Sequence, residues 1–86
     1  LLTLYSKPNC VQCNATARKL DQLGIKHDVI DLTEDLDAYR AVKALGYMQA
    51  PVVAVTFPDG TVEDWGGYRP DKLTAYAEAI KTGAAA

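Results

Sequence analysis

The sequence predicts an α/β protein: a four-stranded mixed sheet flanked by three helices, in the order βαβαββα. Three observations carry this. Short β-prone runs alternate with segments whose apolar residues recur every three or four positions, the helical period. Glycines stand where the first two helices should stop, at Gly24 and Gly46. Between the last two strand-like runs lies Phe57-Pro58-Asp59-Gly60-Thr61, whose turn residues make those runs a hairpin. At 86 residues the chain reads as one domain, residues 1–86, with a modest core.

Leu2, Leu4 and the β-friendly Thr3 and Tyr5 form the first strand. Ser6 to Asn9 is a polar loop, and a helix follows from about Val11 to Leu23. Its inward stripe is Cys13, Thr16 or Ala17, Leu20 and Leu23. His27 to Asp31 is the second strand, parallel to the first through a crossover. Thr33 reads as the cap of the second helix, with Glu34, Asp35 and Asp37 in its first turn, where the helix dipole favours acids. Ala38, Ala41, Val42 and Leu45 give that helix its apolar face. Pro51 to Val55 is a third strand, apolar enough for burial on both faces. Thr61 to Trp65 returns as the fourth. Pro70 suits the first position of the last helix, whose inner face is Leu73, Tyr76, Ala77 and Ile80. The Gly83-Ala-Ala-Ala tail is expected to fray.

The formal net charge of −2 argues against a nucleic-acid partner, because neutralising phosphates needs a basic face. No apolar run approaches the roughly 20 residues of a membrane helix. Leu1 to Tyr5 is too short and too alternating for a signal peptide, and the missing initiator Met suggests that first residues are absent. A cytoplasmic protein is therefore expected. In that compartment a lone Cys-x-x-Cys is more often redox or metal chemistry than a structural bridge.

The two cysteines, Cys10 and Cys13, stand at the start of the first helix. As a staple they are poorly placed, since closing so short a loop yields only about 2 kcal/mol. As a zinc site they lack partners: His27 is the one further soft ligand, on a different strand. The redox reading accounts for the spacing. Cys10 falls at the helix N-terminus, where free N–H groups and the positive dipole end stabilise a thiolate. Cys13, three residues on, lies on the same face and points inward. One sulfur would be exposed to attack a disulfide, the other shielded and held ready to resolve the product. Lys7 adds positive charge three residues before Cys10.

The Cys10-Val11-Gln12-Cys13 motif after a strand, Gln49-Ala50-Pro51-Val52-Val53, and the Trp65-Gly66-Gly67-Tyr68-Arg69-Pro70 loop together resemble the NrdH-redoxins. These are small thioredoxin-fold proteins with glutaredoxin-like sequences, and the similarity runs from Leu2 to about Ile80. The resemblance implies a thioredoxin-like fold and electron transfer through the Cys10–Cys13 dithiol. It implies reduction by thioredoxin reductase rather than glutathione, and delivery to the large subunit of class Ib ribonucleotide reductase. No cofactor or metal of the chain's own is implied; NADPH and FAD would belong to the reductase. It further implies a cis bond before Pro51, beside the cysteines, although the residues alone favour an ordinary trans proline. Such a bond would turn the Ala50 backbone outward as an edge for a partner peptide. Trp65, which as a lone Trp would most often fill the core, here closes a loop that in the family supports the site through hydrogen bonds, with direct partner contact as the alternative role. Val11, Gln12, Ala50, Tyr68 and Arg69 are the expected partner-contacting residues, and a monomer is expected.

Gly66 departs from the family, which usually has Ser there. Gly66-Gly67-Tyr68 superficially resembles a glutathione-binding Gly-Gly-x, but Arg69 and Pro70 replace the polar or acidic residues that usually follow. The Arg reverses the charge and the Pro removes a donor. A glutathione-dependent glutaredoxin is the alternative enzyme reading, and a non-catalytic thioredoxin-fold binding module the alternative outside redox chemistry.

Overall fold

Strand pairing sets the architecture. In the computed structural model, which describes residues 1–83, the elements are β1 (Leu2–Ser6), α1 (Val11–Gln22), β2 (Asp28–Asp31), α2 (Leu36–Ala44), β3 (Val52–Thr56), β4 (Val62–Gly66) and α3 (Pro70–Thr82). The expected fraying of the tail lies, from Ala84 onward, outside the described residues. The sheet order is β2-β1-β3-β4. β1 and β2 are parallel, with Leu4 opposite Val29. β1 with β3, and β3 with β4, are antiparallel, placing Val53 between Leu4 and Trp65. This is the predicted mixed sheet with the predicted element order.

Alternation along the strands decides where the core lies. Leu2, Leu4, Val53, Val55 and Trp65 share one face and pack with Leu20 of α1 and Leu73, Tyr76 and Ala79 of α3 in a single apolar cluster. Each fully buried Leu contributes about 1.5–3 kcal/mol by leaving water. Phe57 closes the hairpin end against Tyr76 edge-to-face, with ring centroids 5.2 Å apart. Val52 has the opposite parity and is also fully buried, so β3 is shielded on both faces as its sequence suggested.

Three local readings need correction. α2 begins at Leu36 under an Asp35 cap, whose carboxylate accepts from the Ala38 N–H at 2.9 Å. Thr33 instead donates its N–H and hydroxyl to Asp31 Oδ1. That Asx-type turn holds residues 31–33 out of the helix. Second, the apolar face of α2 is mostly unburied. Val42 reaches the interior and Ala38, one turn earlier, is half-buried, whereas Ala41 and Leu45 lie on a flank that stays exposed. Third, α3 buries Ala79 rather than Ile80, because its contact stripe runs 73, 76, 79 and turns Ile80 outward. The remaining differences are one-residue shifts at strand ends and a helix α1 that stops at Gln22. Gly24, with φ 69°, supplies the left-handed residue that ends α1.

Candidate redox site

The loop before α1 aims the cysteines. Asn9 adopts φ 58°, a left-handed conformation that asparagine tolerates better than most residues. The chain then enters α1 with Cys10 as its N-cap, and the Cys13 N–H donates to Cys10 Sγ at 3.2 Å. Cys10 and Cys13 are joined as a disulfide, with Cα atoms 5.2 Å apart, inside the range such a bond requires. One turn further, buried Thr16 donates its hydroxyl to the Gln12 carbonyl at 2.8 Å and tightens the helix start.

Burial of the pair differs from the expectation. Cys13 is 1% exposed, as its inward position suggested, but Cys10 is only 8% exposed. The cover comes from the opposite loop: the Ala50 carbonyl oxygen lies 3.9 Å from Cys10 Sγ. Ala50–Pro51 is cis and Pro51 is fully buried. The Pro51 carbonyl accepts from the Gly67 N–H at 2.9 Å. Gln12 then ties the helix start to the same region, its side-chain oxygen accepting from the Tyr68 N–H at 3.1 Å. The disulfide, the Ala50-Pro51 turn and the Gly66-Gly67-Tyr68 loop therefore form one connected unit.

The other sequence-predicted residues have distinct places. Val11 is 81% exposed beside the disulfide, and Gln12 is exposed apart from its bond. Lys7 lines a groove of about 330 Å³ with Tyr39, Val42, Lys43, Met48 and Ala50. Trp65 does not bind the site by hydrogen bonds. It fills the core at 5% exposure, its Nε1 has no partner among the described residues, and Lys72 Nζ lies 5.5 Å from its ring centroid. The loop reaches the site through backbone N–H groups instead. Tyr68 is half-buried against the core rather than fully presented. Arg69 is exposed, but Nε and Nη2 both donate to Asp71, at 3.1 and 2.9 Å. That pairing raises the Arg69 pKa and lowers that of Asp71. His27, half-buried, has Nδ1 2.9 Å from the Ile25 carbonyl oxygen and stands apart from these residues.

Sequence reasoning missed Asn9, Tyr47 and Met48. The Pro8-Asn9 pair is a turn signal that could have located the left-handed residue. Met48, 81% exposed, forms part of the groove wall. Tyr47 packs on Gly66 and bonds to Asp64, a pairing across 17 residues that no local pattern carries.

Comparison with known proteins agrees with this site. Residues 2–57 match the Glutaredoxin family model. The chain is 35% identical over 72 residues to the glutaredoxin-like protein NrdH of Escherichia coli K12, covering 84% of this chain and 83% of that one. It is 32% identical over 79 residues to NrdH of Lactococcus lactis, covering 90% of this chain and all of the relative. The solved structure of E. coli NrdH-redoxin, a glutaredoxin-like protein with a thioredoxin-like activity profile, superposes with a TM-score of 0.78 at 32% identity, over 86% of this chain and 91% of that one. The chain belongs to the glutaredoxin family, in its NrdH-redoxin branch. As an NrdH-redoxin it is a glutaredoxin-like redox protein with a cysteine pair at disulfide distance. Among the described residues no helix is long and apolar enough to cross a membrane.

Proposed function

We propose that this NrdH-redoxin carries electrons from thioredoxin reductase to the large subunit of class Ib ribonucleotide reductase, in the cytoplasm, through Cys10 and Cys13. In the reduced protein the Cys10 thiolate attacks one sulfur of the partner's disulfide. An S–S bond forms to Cys10, and the partner's other sulfur leaves as a thiolate that takes up a proton. Cys13, deprotonated, then attacks Cys10 Sγ. The second partner thiol is released and protonated, and the Cys10–Cys13 disulfide remains. Two electrons pass in each cycle. The reductase dithiol reverses these steps.

Helix α1 favours Cys10 as the attacking group, since its Sγ receives the Cys13 N–H and sits at the positive helix end. Cys13, deeper by burial, suits the resolving step. Val11, Met48 and the 330 Å³ groove carrying Lys7 and Lys43 offer a partly apolar surface beside the disulfide. It is suited to a transient protein contact of micromolar strength, on the order of −8 kcal/mol.

The observation that carries the choice of donor is the Gln12–Tyr68 bond. A small carboxylate ligand would seek free backbone N–H groups in the loop that leads into α3. Here the Tyr68 N–H is taken by Gln12, Pro70 has no N–H, and Arg69 is engaged by Asp71. The thioredoxin-like activity profile of the E. coli relative supports the same reading. NADPH oxidation should be measured with thioredoxin reductase, and separately with glutathione and glutathione reductase. Thioredoxin reductase should be much the faster donor. If glutathione is faster, the chain is a glutathione-dependent glutaredoxin.

A further inference from the structure

Between α2 and β3 the chain runs through Gly46, Tyr47, Met48, Gln49 and Ala50 to the cis peptide. The N–H groups of Met48, Gln49 and Ala50 donate to nothing among the described residues. They form a short stretch of free backbone whose last carbonyl lies 3.9 Å from Cys10 Sγ. Met48 and Gln49 are exposed, and the Tyr47 N–H reaches Val42 O only at 3.4 Å. The stretch is anchored at its far end by the cis bond to buried Pro51, while residues 48–50 make no N–H bonds of their own among the described residues.

Tyr47, at the start of this stretch, is tied to β4. Its hydroxyl donates to Asp64 Oδ1 on β4, the sheet-edge strand. Its ring covers Gly66: a Cβ there would lie 3.1 and 3.2 Å from ring atoms Cδ1 and Cε1. Gly66 is thus the seat on which the ring rests. Tyr47 also lines both the groove carrying Lys7 and the smaller cleft bordered by Gln12 and Gly67. The phenol is pushed up to about 12, first by the Asp64 hydrogen bond, then by burial and the Asp64 charge. It therefore remains a donor at neutral pH.

We infer that Tyr47, clasped to Asp64 and seated on Gly66, is the positioning residue that holds backbone 48–50 beside Cys10 for docking of an extended, disulfide-bearing polypeptide. The inference rests on the thiol–disulfide exchange proposed above, but not on which partners supply or receive the electrons. Tyr47 makes no hydrogen bond to either sulfur among the described residues. Its loss should weaken docking and leave the chemistry of the pair unchanged, which is a rise in KM with little change in limiting rate.

The test mixes prereduced protein with a concentration series of insulin, a protein disulfide, and follows release of insulin thiols. A small reagent, 5,5′-dithiobis(2-nitrobenzoic acid), serves in parallel as a disulfide that needs no backbone docking. Tyr47→Ala should raise the half-saturating insulin concentration about tenfold, with the limiting rate and the small-disulfide rate within about twofold of the parent. Tyr47→Phe keeps the ring and loses the clasp, so it should give a smaller rise, about threefold. Gly66→Ala, which crowds the ring from beneath, should move the constant in the same direction. The Phe variant leaves the apolar seat intact and guards against a folding defect in the Ala variant. Half-saturation within twofold of the parent in both Tyr47 variants overturns the inference. So does a parallel fall in the small-disulfide rate, which would make Tyr47 a general support of the site. Because no reductase takes part, a failure of thioredoxin reductase to reduce the protein would be read separately, in the donor comparison.

Discussion

Replacing Gln12 with alanine separates the two possible electron donors, and its effect can be worked from one bond. The Gln12 oxygen accepts from the Tyr68 N–H at 3.1 Å in an exposed setting. Neutral bonds of this kind are worth about 0.5–1.5 kcal/mol net. In a domain of this size about 1 kcal/mol shifts Tm by roughly 4–8 °C, so Gln12→Ala should lower Tm by a few degrees and leave the fold intact. The freed Tyr68 N–H can then receive a carboxylate. A bond to a charged group is worth about 1.5–3 kcal/mol, and ordering a flexible tripeptide offsets part of it. A net gain near 1 kcal/mol corresponds to roughly a fivefold rise in glutathione-dependent turnover. The assay is NADPH oxidation with glutathione and glutathione reductase, combined with hydrogen exchange at the Tyr68 amide. If exchange shows the amide released and glutathione turnover stays at the parent value, the argument that Gln12 guards the site is wrong.

Other predictions follow from the same structure. Cys13→Ser should trap a mixed disulfide through Cys10 with a partner disulfide, and Cys10→Ser should trap none; peptide mass spectrometry of the adduct identifies the linked residue. Leu73→Ala empties a fully buried position in the cluster that joins α3 to the sheet, and should cost about 2–5 kcal/mol in urea denaturation. The Tyr47 pKa is raised in the folded protein from 10.0 to about 12, so the protonated phenol favours the fold. This contribution is complete below pH 10 and is lost as pH rises from about 10 to 12. Stability measured across that window should fall less steeply in Tyr47→Phe than in the parent.

The fold was legible because local and global signals agree. β3 reads as a buried strand and is buried on both faces, and Gly24 and Pro70 punctuate helices as their backbone preferences require. The misreadings arose where side-chain hydrogen bonds compete with helix propensity. Thr33 and Asp35 are both good caps, and the Asp31 turn decides in favour of Asp35. The cysteine motif announced the site, yet the covering of Cys10 by Ala50 depends on a contact across 40 residues. The same holds for Gln12 with Tyr68, across 56 residues. Trp65 packs in the core, the usual place of a lone Trp, and the hydrogen bonds expected of its loop come from other residues of that loop. Its neighbours Gly67 and Tyr68 supply those bonds from the backbone, which side-chain identity does not reveal.

The proposed relay is tested most directly by reconstitution. NADPH, thioredoxin reductase, this NrdH-redoxin and a class Ib ribonucleotide reductase are combined, and deoxyribonucleotide formed is compared with NADPH consumed. One deoxyribonucleotide per NADPH is predicted, because each exchange passes two electrons, and Cys10→Ser should abolish the coupling. Steady oxidation of NADPH without deoxyribonucleotide, or product formed equally well with the Cys10→Ser variant, would contradict the account.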